Sequence, residues 1–219
     1  GVDIFRVASH CTEASITKTH IEYLVRKGKT VYGALMMCAT CSLDTLVGEV
    51  EKMKSYGASA VIIMDSTGSF FPKQVEECFK RLTPIGIKLG FHAHNNLGLA
   101  VANSLAAIEH GAEIIDATVH GFGAGAGNTP LEVMTTIYPS GNINLLETVE
   151  EMGYDTPVTK NINILTAKNK LHSVFEKKIV ESSQKYKVPL TKLVEELGNR
   201  NLVAGQEDLV QVIASQMSE

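Results

Sequence analysis

The sequence lacks an excess of basic residues, a regular repeat of glycine and proline, and an apolar run of membrane-spanning length. Its 219 residues include 20 Lys and Arg against 24 Asp and Glu, a net charge of −4 that is not typical of nucleic-acid binding. The apolar stretches 58–64 and 97–107 are well short of the roughly 20 residues that cross a bilayer. Since 44% of the residues are hydrophobic, the composition predicts a globular protein instead of a disordered or collagen-like one.

The first residues also lack the features of a signal peptide. Residues 1–8 have no basic segment followed by an apolar one and are typical of a buried strand. A start inside a strand, without Met, predicts a chain cut from a longer protein.

The four cysteines are too sparse for a secreted disulfide framework, which predicts free thiols and a cytoplasmic location. Zinc or redox function of the CxxC pair Cys38 and Cys41 stays a minor alternative, because no second pair completes a metal site.

Five short apolar runs alternate with helical patterns along the first 140 residues. The predicted strands are Val2 to Val7, Val31 to Met37, Ala60 to Met64, Ile87 to His94 and Glu113 to Val119. Their nearly continuous apolar character is typical of parallel strands covered on both faces. Two architectures fit, an open doubly wound sheet and a (β/α)8 barrel, and a barrel requires three further βα units upstream.

The pattern changes after residue 140. Only helical segments follow, predicted at Leu145 to Met152, Thr159 to Lys185, Leu190 to Leu197 and Glu207 to Met217. We therefore expect two domains, a partial barrel over residues 1–140 and a helical domain over residues 144–219.

Polar residues follow several of the predicted strands. His92 and His94 are two apart at the end of the fourth strand, so both imidazoles face the same side, which is metal-ligand geometry. The small polar segment Asp65-Ser66-Thr67-Gly68 ends the third strand, where it supplies hydrogen-bond donors for a bound oxyanion. The alternative is that Asp65 or Ser66 caps the helix that begins near Pro72. His10 adds a polar group to the same rim.

A glycine-rich segment, residues 121–127, follows the fifth strand. It matches the dinucleotide-binding fingerprint only loosely, and no clear parallel strand follows to carry the acidic residue that the fingerprint requires. Backbone approach to a small anion and tight packing are the favoured interpretations.

Longer motifs resemble a known enzyme family. The segments HAHNNLGLAVANSLAAIEHGA, DATVHGFGAGAGNTPLEV and ELGNRNLVAGQEDLV, with RVASHCTEA and GALMM, resemble the 4-hydroxy-2-oxovalerate aldolases. These are class II pyruvate aldolases, in a superfamily that also contains the isopropylmalate synthases. The resemblance extends over the whole chain and implies a (β/α)8 TIM barrel, of which this chain carries about the last five βα units, followed by a C-terminal helical domain.

The resemblance also implies a reaction and its ligands. It implies divalent-metal-dependent cleavage of 4-hydroxy-2-oxovalerate, or a close 4-hydroxy-2-oxo acid, to pyruvate and acetaldehyde or another short aldehyde, in the catabolism of aromatic compounds. His92 and His94 would bind the metal, most often Mn2+, with Mg2+ or Co2+ as alternatives. Ser66, together with His92, would contact the substrate. The helical domain would dock an acylating acetaldehyde dehydrogenase, with a homodimer contact as the alternative.

Two departures from the family pattern bear on the site. The family's base, its Arg and its third metal ligand lie in an RDG motif of the first strand, which has no counterpart here. Lys168 aligns with a family Tyr when Ser173 to Phe175 are aligned without gaps. An acyl-CoA condensing synthase and a non-catalytic binding module therefore remain as alternatives.

Overall fold

The computed structural model of the chain describes residues 1–138, 146, 149, 152–153, 155–200 and 202–218. The strands are β1 Ile4–His10, β2 Thr30–Met36, β3 Ala60–Asp65, β4 Lys88–Ala93 and β5 Ala112–Asp116. The α-helices in the described ranges are α1 Lys18–Arg26, α2 Leu43–Ser55, α3 Pro72–Leu82, α4 Ala100–Glu109, α5 Leu131–Ile137, α6 Asn161–Lys168, α7 Glu176–Tyr186, α8 Leu190–Asn199 and α9 Glu207–Gln216. The chain divides into two compact units. The first contains residues 1–66, 70–93 and 101–117, and the second contains residues 67–69, 94–100 and 118–219.

The first unit is built on a parallel sheet. Its five strands are hydrogen-bonded in the order β1-β2-β3-β4-β5, so each strand pairs with the next one along the chain. A helix follows each of the first four strands, as the alternating pattern predicts. This sequential order is the one found in a (β/α)8 barrel, whereas a doubly wound sheet reverses its strand order at a switch point.

Helices α2 and α3 cover one face of this sheet. Phe91 of β4 packs edge-on against Phe79 of α3, with ring centroids 5.8 Å apart. At Gly33 of β2, an added Cβ would lie 2.3 Å from the Met53 sulfur, so Gly33 leaves the space that this side chain of α2 fills. The side chains of the other face, called the inner face below, therefore point away from these helices.

The two ends of α2 are as predicted from the sequence. Ser42 precedes the helix, and its Oγ accepts a hydrogen bond from the Thr45 amide at 3.2 Å. Gly57 follows the C-cap residue with a left-handed φ of 98°. The Ser42 side chain gives a hydrogen-bond partner to an amide that the start of a helix leaves unpaired. The left-handed glycine turns the chain out of the helix, so the two residues set where α2 begins and ends.

The sheet is strongly curved. Arg6 on the edge strand β1 donates hydrogen bonds to Asp116 on the opposite edge strand β5, at 2.5 and 3.0 Å. With about 4.8 Å between neighbouring strands, the edges of a flat five-stranded sheet would be about 19 Å apart, beyond the reach of these two side chains. The inner face is therefore concave, as it is in a barrel.

The second unit has its own apolar core among the C-terminal helices. Phe175, Ile179, Leu193, Val194 and Val210 are fully buried within it. The prediction of one continuous helix from Thr159 to Lys185 is wrong, since α6 ends at Lys168 and α7 begins at Glu176. Lys170 adopts a left-handed φ of 53°, and the Leu171 amide bonds back to the Thr166 carbonyl, which closes α6 in the manner of a Schellman cap.

Other boundaries also differ from the predictions. β5 ends at Asp116 and not at Val119, because residues 119–121 form a 3-10 turn in which His120 has a left-handed φ of 52°. Most of the helix predicted from Leu145 to Met152, and the domain boundary near residues 140–144, lie outside the described residues.

Two further observations concern cysteines and helix length. All four cysteines are free, with Cys11, Cys38 and Cys78 buried and Cys41 partly exposed. Within the described ranges, every helix is too short or too polar to span a bilayer.

Candidate active site

His92 lies on the inner face of the sheet, in β4. Its strand neighbour in the register is Asp116 of β5, so the two side chains share that face. The His92 Nδ1 lies 3.0 Å from Asp116 Oδ2, and the same carboxylate accepts two hydrogen bonds from Arg6. Sequence reasoning selected His92 and missed the other two, because they lie 24 and 110 residues away from their partners in the chain.

The Asp116 carboxylate is held in its charged form. Burial acts to raise its pKa, but the hydrogen bonds from His92 and Arg6 outweigh burial and lower the pKa from 3.8 to about 2. The inner face therefore presents a fixed anion directly beside the predicted metal ligand.

Ser66, the predicted substrate contact, directly follows β3 in the first unit. It is 1% exposed, and its Oγ accepts a hydrogen bond from the Met37 amide at 3.0 Å. Neither Asp65 nor Ser66 caps α3, so that alternative is wrong: the residue before the helix is Phe71, and Asp65 Oδ2 accepts from the Phe70 amide at 3.1 Å. Residues 65 and 66 thus fix the loops that follow β2 and β3.

His94, the other predicted metal ligand, belongs to the second unit. It forms an isolated antiparallel bridge with Asn128, at the end of the glycine-rich segment. The Asn128 Oδ1 is buried and has no hydrogen-bond partner among the residues that the structure describes. A buried acceptor oxygen of this kind is suited to a hard cation or to a donor group of a substrate.

His172 is a site residue that sequence reasoning missed. Its ring lies 6.3 Å from that of His94, centroid to centroid, at an angle of 65°. Burial lowers the pKa of His172, against an opposing effect of Glu207, and its Nδ1 accepts a hydrogen bond from the Val174 amide at 3.1 Å. No sequence signal marked His172, which follows the unpredicted break after α6.

Lys168, which aligns with the family Tyr, is exposed at the end of α6.

Asn96 connects the loop after His94 to the helical region. Its Nδ2 donates to Ser173 Oγ at 3.0 Å and lies 3.5 Å from Glu176 Oε1, and its Oδ1 accepts from the Ala126 amide at 3.1 Å. Asn96 is fully buried. This side chain therefore holds the glycine-rich segment and the start of α7 in fixed positions around His94.

The glycine-rich segment packs tightly against itself. The Asn128 amide donates to the Gly121 carbonyl at 2.8 Å, and the Asn95 amide donates to the Gly127 carbonyl at the same distance. Gly127 has a φ of 86°, and an added Cβ there would lie 2.2 Å from the Gly121 carbonyl oxygen. The glycines thus serve close backbone packing, one of the two interpretations favoured from the sequence.

The donor types of three of these residues fit a divalent cation. The imidazoles of His92 and His94 and the oxygen of Asn128 are all ligand types found at such ions. The contact between His92 Nδ1 and the Asp116 carboxylate is of the kind that metal-bound histidines make in most sites. Among the residues that the structure describes, no group of three or more His, Cys, Asp and Glu side chains is placed to hold a metal.

Comparison with known proteins assigns the chain to a family. A sequence model described as HMGL-like matches residues 7–154. The chain belongs to the HMGL-like family. A second model, a DmpG-like communication domain, matches residues 169–219.

Curated relatives of the same name align with nearly the whole of this chain. The chain is 43% identical to a 4-hydroxy-2-oxovalerate aldolase of Spirochaeta aurantia, over 96% of this chain and 65% of the relative. It is 42% identical to the enzyme of that name in Pectobacterium atrosepticum, over 100% of this chain and 67% of the relative. The chain thus spans about two thirds of the length of the curated relatives it matches.

Solved structures share its fold. The N-terminal domain of a candidate aldolase from Bacteroides vulgatus is 25% identical, with a TM-score of 0.69 over 84% of this chain and 65% of that one. The carboxyl transferase domain of Rhizobium etli pyruvate carboxylase is 17% identical, with a TM-score of 0.79 over 99% of this chain and 42% of that one. The predicted fold, an α/β chain of barrel type with a helical C-terminal part, is confirmed.

Proposed function

We propose that the chain carries much of the active site of a 4-hydroxy-2-oxovalerate aldolase, which cleaves this acid to pyruvate and acetaldehyde. The observation that carries the proposal is the 42–43% identity to aldolases of that name over nearly the whole chain. In the reaction, the bond between C3 and C4 breaks, the C4 hydroxyl loses its proton, and C3 of the pyruvate product gains one.

His92 and His94 are the proposed metal ligands, and Asn128 Oδ1 is a proposed oxygen ligand. The ion would be Mn2+, or alternatively Mg2+ or Co2+. When bound, it would supply Lewis acidity that stabilises negative charge on the oxygens of the 2-oxo acid. Ser66 would orient the pyruvyl group: its Oγ already accepts from the Met37 amide, and its hydroxyl proton is the donor for a substrate oxygen.

Variants of the two histidines test the metal proposal. We expect His92→Ala and His94→Ala to lose Mn2+ binding, measured by electron paramagnetic resonance. The control is His20→Ala, because His20 is exposed on α1. Mn2+ affinity equal to that of the unchanged chain in either site variant would refute the ligand assignment.

A product assay tests the reaction. We expect pyruvate and acetaldehyde from 4-hydroxy-2-oxovalerate when the chain is joined to the segment of the Spirochaeta aurantia relative that lies outside the match. Condensation of acetyl-CoA with a 2-oxo acid would instead identify a synthase of the isopropylmalate type. No turnover of either substrate by the joined protein would favour the non-catalytic binding module.

The C-terminal helices are the proposed docking site for an acylating acetaldehyde dehydrogenase. The match of residues 169–219 to a DmpG-like communication domain supports this assignment. Transfer of acetaldehyde to a bound partner would limit its escape into water. We also propose the division into a barrel domain over residues 1–140 and a helical domain over residues 144–219.

A further inference from the structure

We propose that Asp116 is a positioning residue that fixes the His92 imidazole with its proton on Nδ1 and its lone pair on Nε2. We also propose that Arg6 holds Asp116 in place. The inference deepens the proposed function, because the value of this orientation rests on His92 being a metal ligand. The geometry that carries it lies entirely within the first unit.

The backbone brings His92 and Asp116 together. They are register partners on the adjacent parallel strands β4 and β5, so their side chains leave the sheet on the same face. The contact joins His92 Nδ1 to Asp116 Oδ2 at 3.0 Å. Both side chains are largely shielded from solvent, with 17% and 20% of their surfaces exposed. The contact is therefore fixed by two paired strands instead of by flexible loops.

Arg6 determines which partner donates in this contact. Its two terminal nitrogens donate to both Asp116 oxygens, at 2.5 Å to Oδ2 and 3.0 Å to Oδ1. A guanidinium has donors only, so the carboxylate that receives it is a hydrogen-bond acceptor on both oxygens. Paired with the guanidinium, the carboxylate is ionised and has no proton to donate, so His92 Nδ1 carries the proton of this contact. In a neutral imidazole this leaves the electron pair on Nε2.

This tautomer is the one that a metal ligand on Nε2 requires. Without the carboxylate, the proton would lose the acceptor that holds it on Nδ1. Outer contacts of this type typically change metal affinity by about 10–100-fold when they are removed. Arg6 acts on His92 indirectly, because it restrains the Asp116 carboxylate.

A neighbouring ion pair provides a matched control. Lys88 of β4 and Glu113 of β5 are 3.7 Å apart on the same two strands, with 49% and 58% of their side chains exposed. Glu113→Gln therefore removes one carboxylate charge from β5 without touching His92. Asp116→Gln would enlarge the side chain, so the test variant is Asp116→Asn, which keeps its size.

The first experiment is nitrogen-15 NMR, which shows which imidazole nitrogens carry a proton. It is done on the metal-free 219-residue chain at about pH 8, where an ordinary histidine is neutral. The His92 signals are assigned by their loss in His92→Gln. We expect a protonated Nδ1 and an unprotonated Nε2 in the unchanged chain and in Glu113→Gln, and a shift toward protonated Nε2 in Asp116→Asn. A proton on Nε2 of His92 in the unchanged chain, or an unchanged tautomer in Asp116→Asn, would overturn the proposal.

The second experiment is a Mn2+ titration of the same proteins. We expect Asp116→Asn to bind at least about tenfold more weakly, and Glu113→Gln to bind within about twofold of the unchanged chain. Equal affinity in Asp116→Asn would show that Asp116 does not position a ligand. If the tautomer shifts as expected but the unchanged chain binds no Mn2+, the orientation by Asp116 stands and the proposed metal role of His92 fails.

Discussion

Asn96 Nδ2 donates a hydrogen bond to Ser173 Oγ at 3.0 Å, between residues 77 positions apart in the chain. Asn96 follows the predicted metal ligand His94 by two residues. Ser173 begins the 3-10 turn that leads directly into α7. The second unit thus fixes the loop after His94 through one fully buried amide.

Replacement of Asn96 by Ala should destabilise the chain by about 1–3 kcal/mol, because the buried Ala126 amide and Ser173 hydroxyl each lose a partner. The measurement is the midpoint of urea unfolding followed by circular dichroism. Asn199→Ala, at an exposed position at the end of α8, is the control and should leave the midpoint nearly unchanged. Equal midpoints for the two variants would contradict the assigned role of Asn96.

Gly127→Ala should be more destabilising than Gly98→Ala. Both glycines have positive φ, 86° and 71°, so both substitutions introduce similar backbone strain. Only at Gly127 does an added Cβ meet other atoms, with the Gly121 carbonyl at 2.2 Å and Pro157 at 2.9 Å. Thermal unfolding of the two variants provides the comparison. If Gly98→Ala lowered the melting temperature as much as Gly127→Ala, backbone strain alone would explain both effects.

The contribution of Asp116 to stability should depend on pH. Its folded pKa of about 2 lies below its ordinary value of 3.8, so the stabilisation is fully present above the ordinary value and is lost as the pH falls toward 2. The difference in unfolding midpoint between the unchanged chain and Asp116→Asn should therefore shrink from about pH 5 to about pH 2. A difference that stays constant over this range would show that the charge of Asp116 does not stabilise the fold.

Leu209 and Val212 should contribute to binding of the proposed dehydrogenase partner. They are 41% and 50% exposed and three residues apart on α9, so they form one apolar patch. Changing both to Lys should weaken the complex by more than about tenfold in a binding titration. Val158→Lys, at a residue 73% exposed outside the matched range 169–219, is the control. An unchanged affinity in the double variant would remove α9 from the docking surface.

The elements predicted well are those whose causes are local. Each buried strand is marked by a continuous apolar run, and the ends of α2 are marked by Ser42 and Gly57. The end of α6 was missed because a Lys, residue 170, takes the left-handed conformation that sequence reasoning assigns to Gly or Asn. β5 was predicted too long because the apolar Val119 continues its pattern into a turn.

The candidate site residues also divide into those marked by a local sequence pattern and those brought together only by the fold. His92 and His94 could be selected because their spacing in one strand is a local feature. Arg6 and Asp116 could not, because their contact depends on how strongly five strands curve. His172 reaches His94 only through the break after α6, which the sequence did not indicate.

The burial of three thiols leaves Cys41 as the partly exposed cysteine of the folded chain. Burial raises the pKa of Cys78 to about 12 and also raises that of Cys38, and a thiol that remains protonated reacts slowly with alkylating reagents. A maleimide dye should therefore attach first at Cys41, while the other three sulfurs become reactive only when the sheet and its covering helices separate. The number of dyes per chain, counted by mass spectrometry, would then report how many molecules in a preparation are folded.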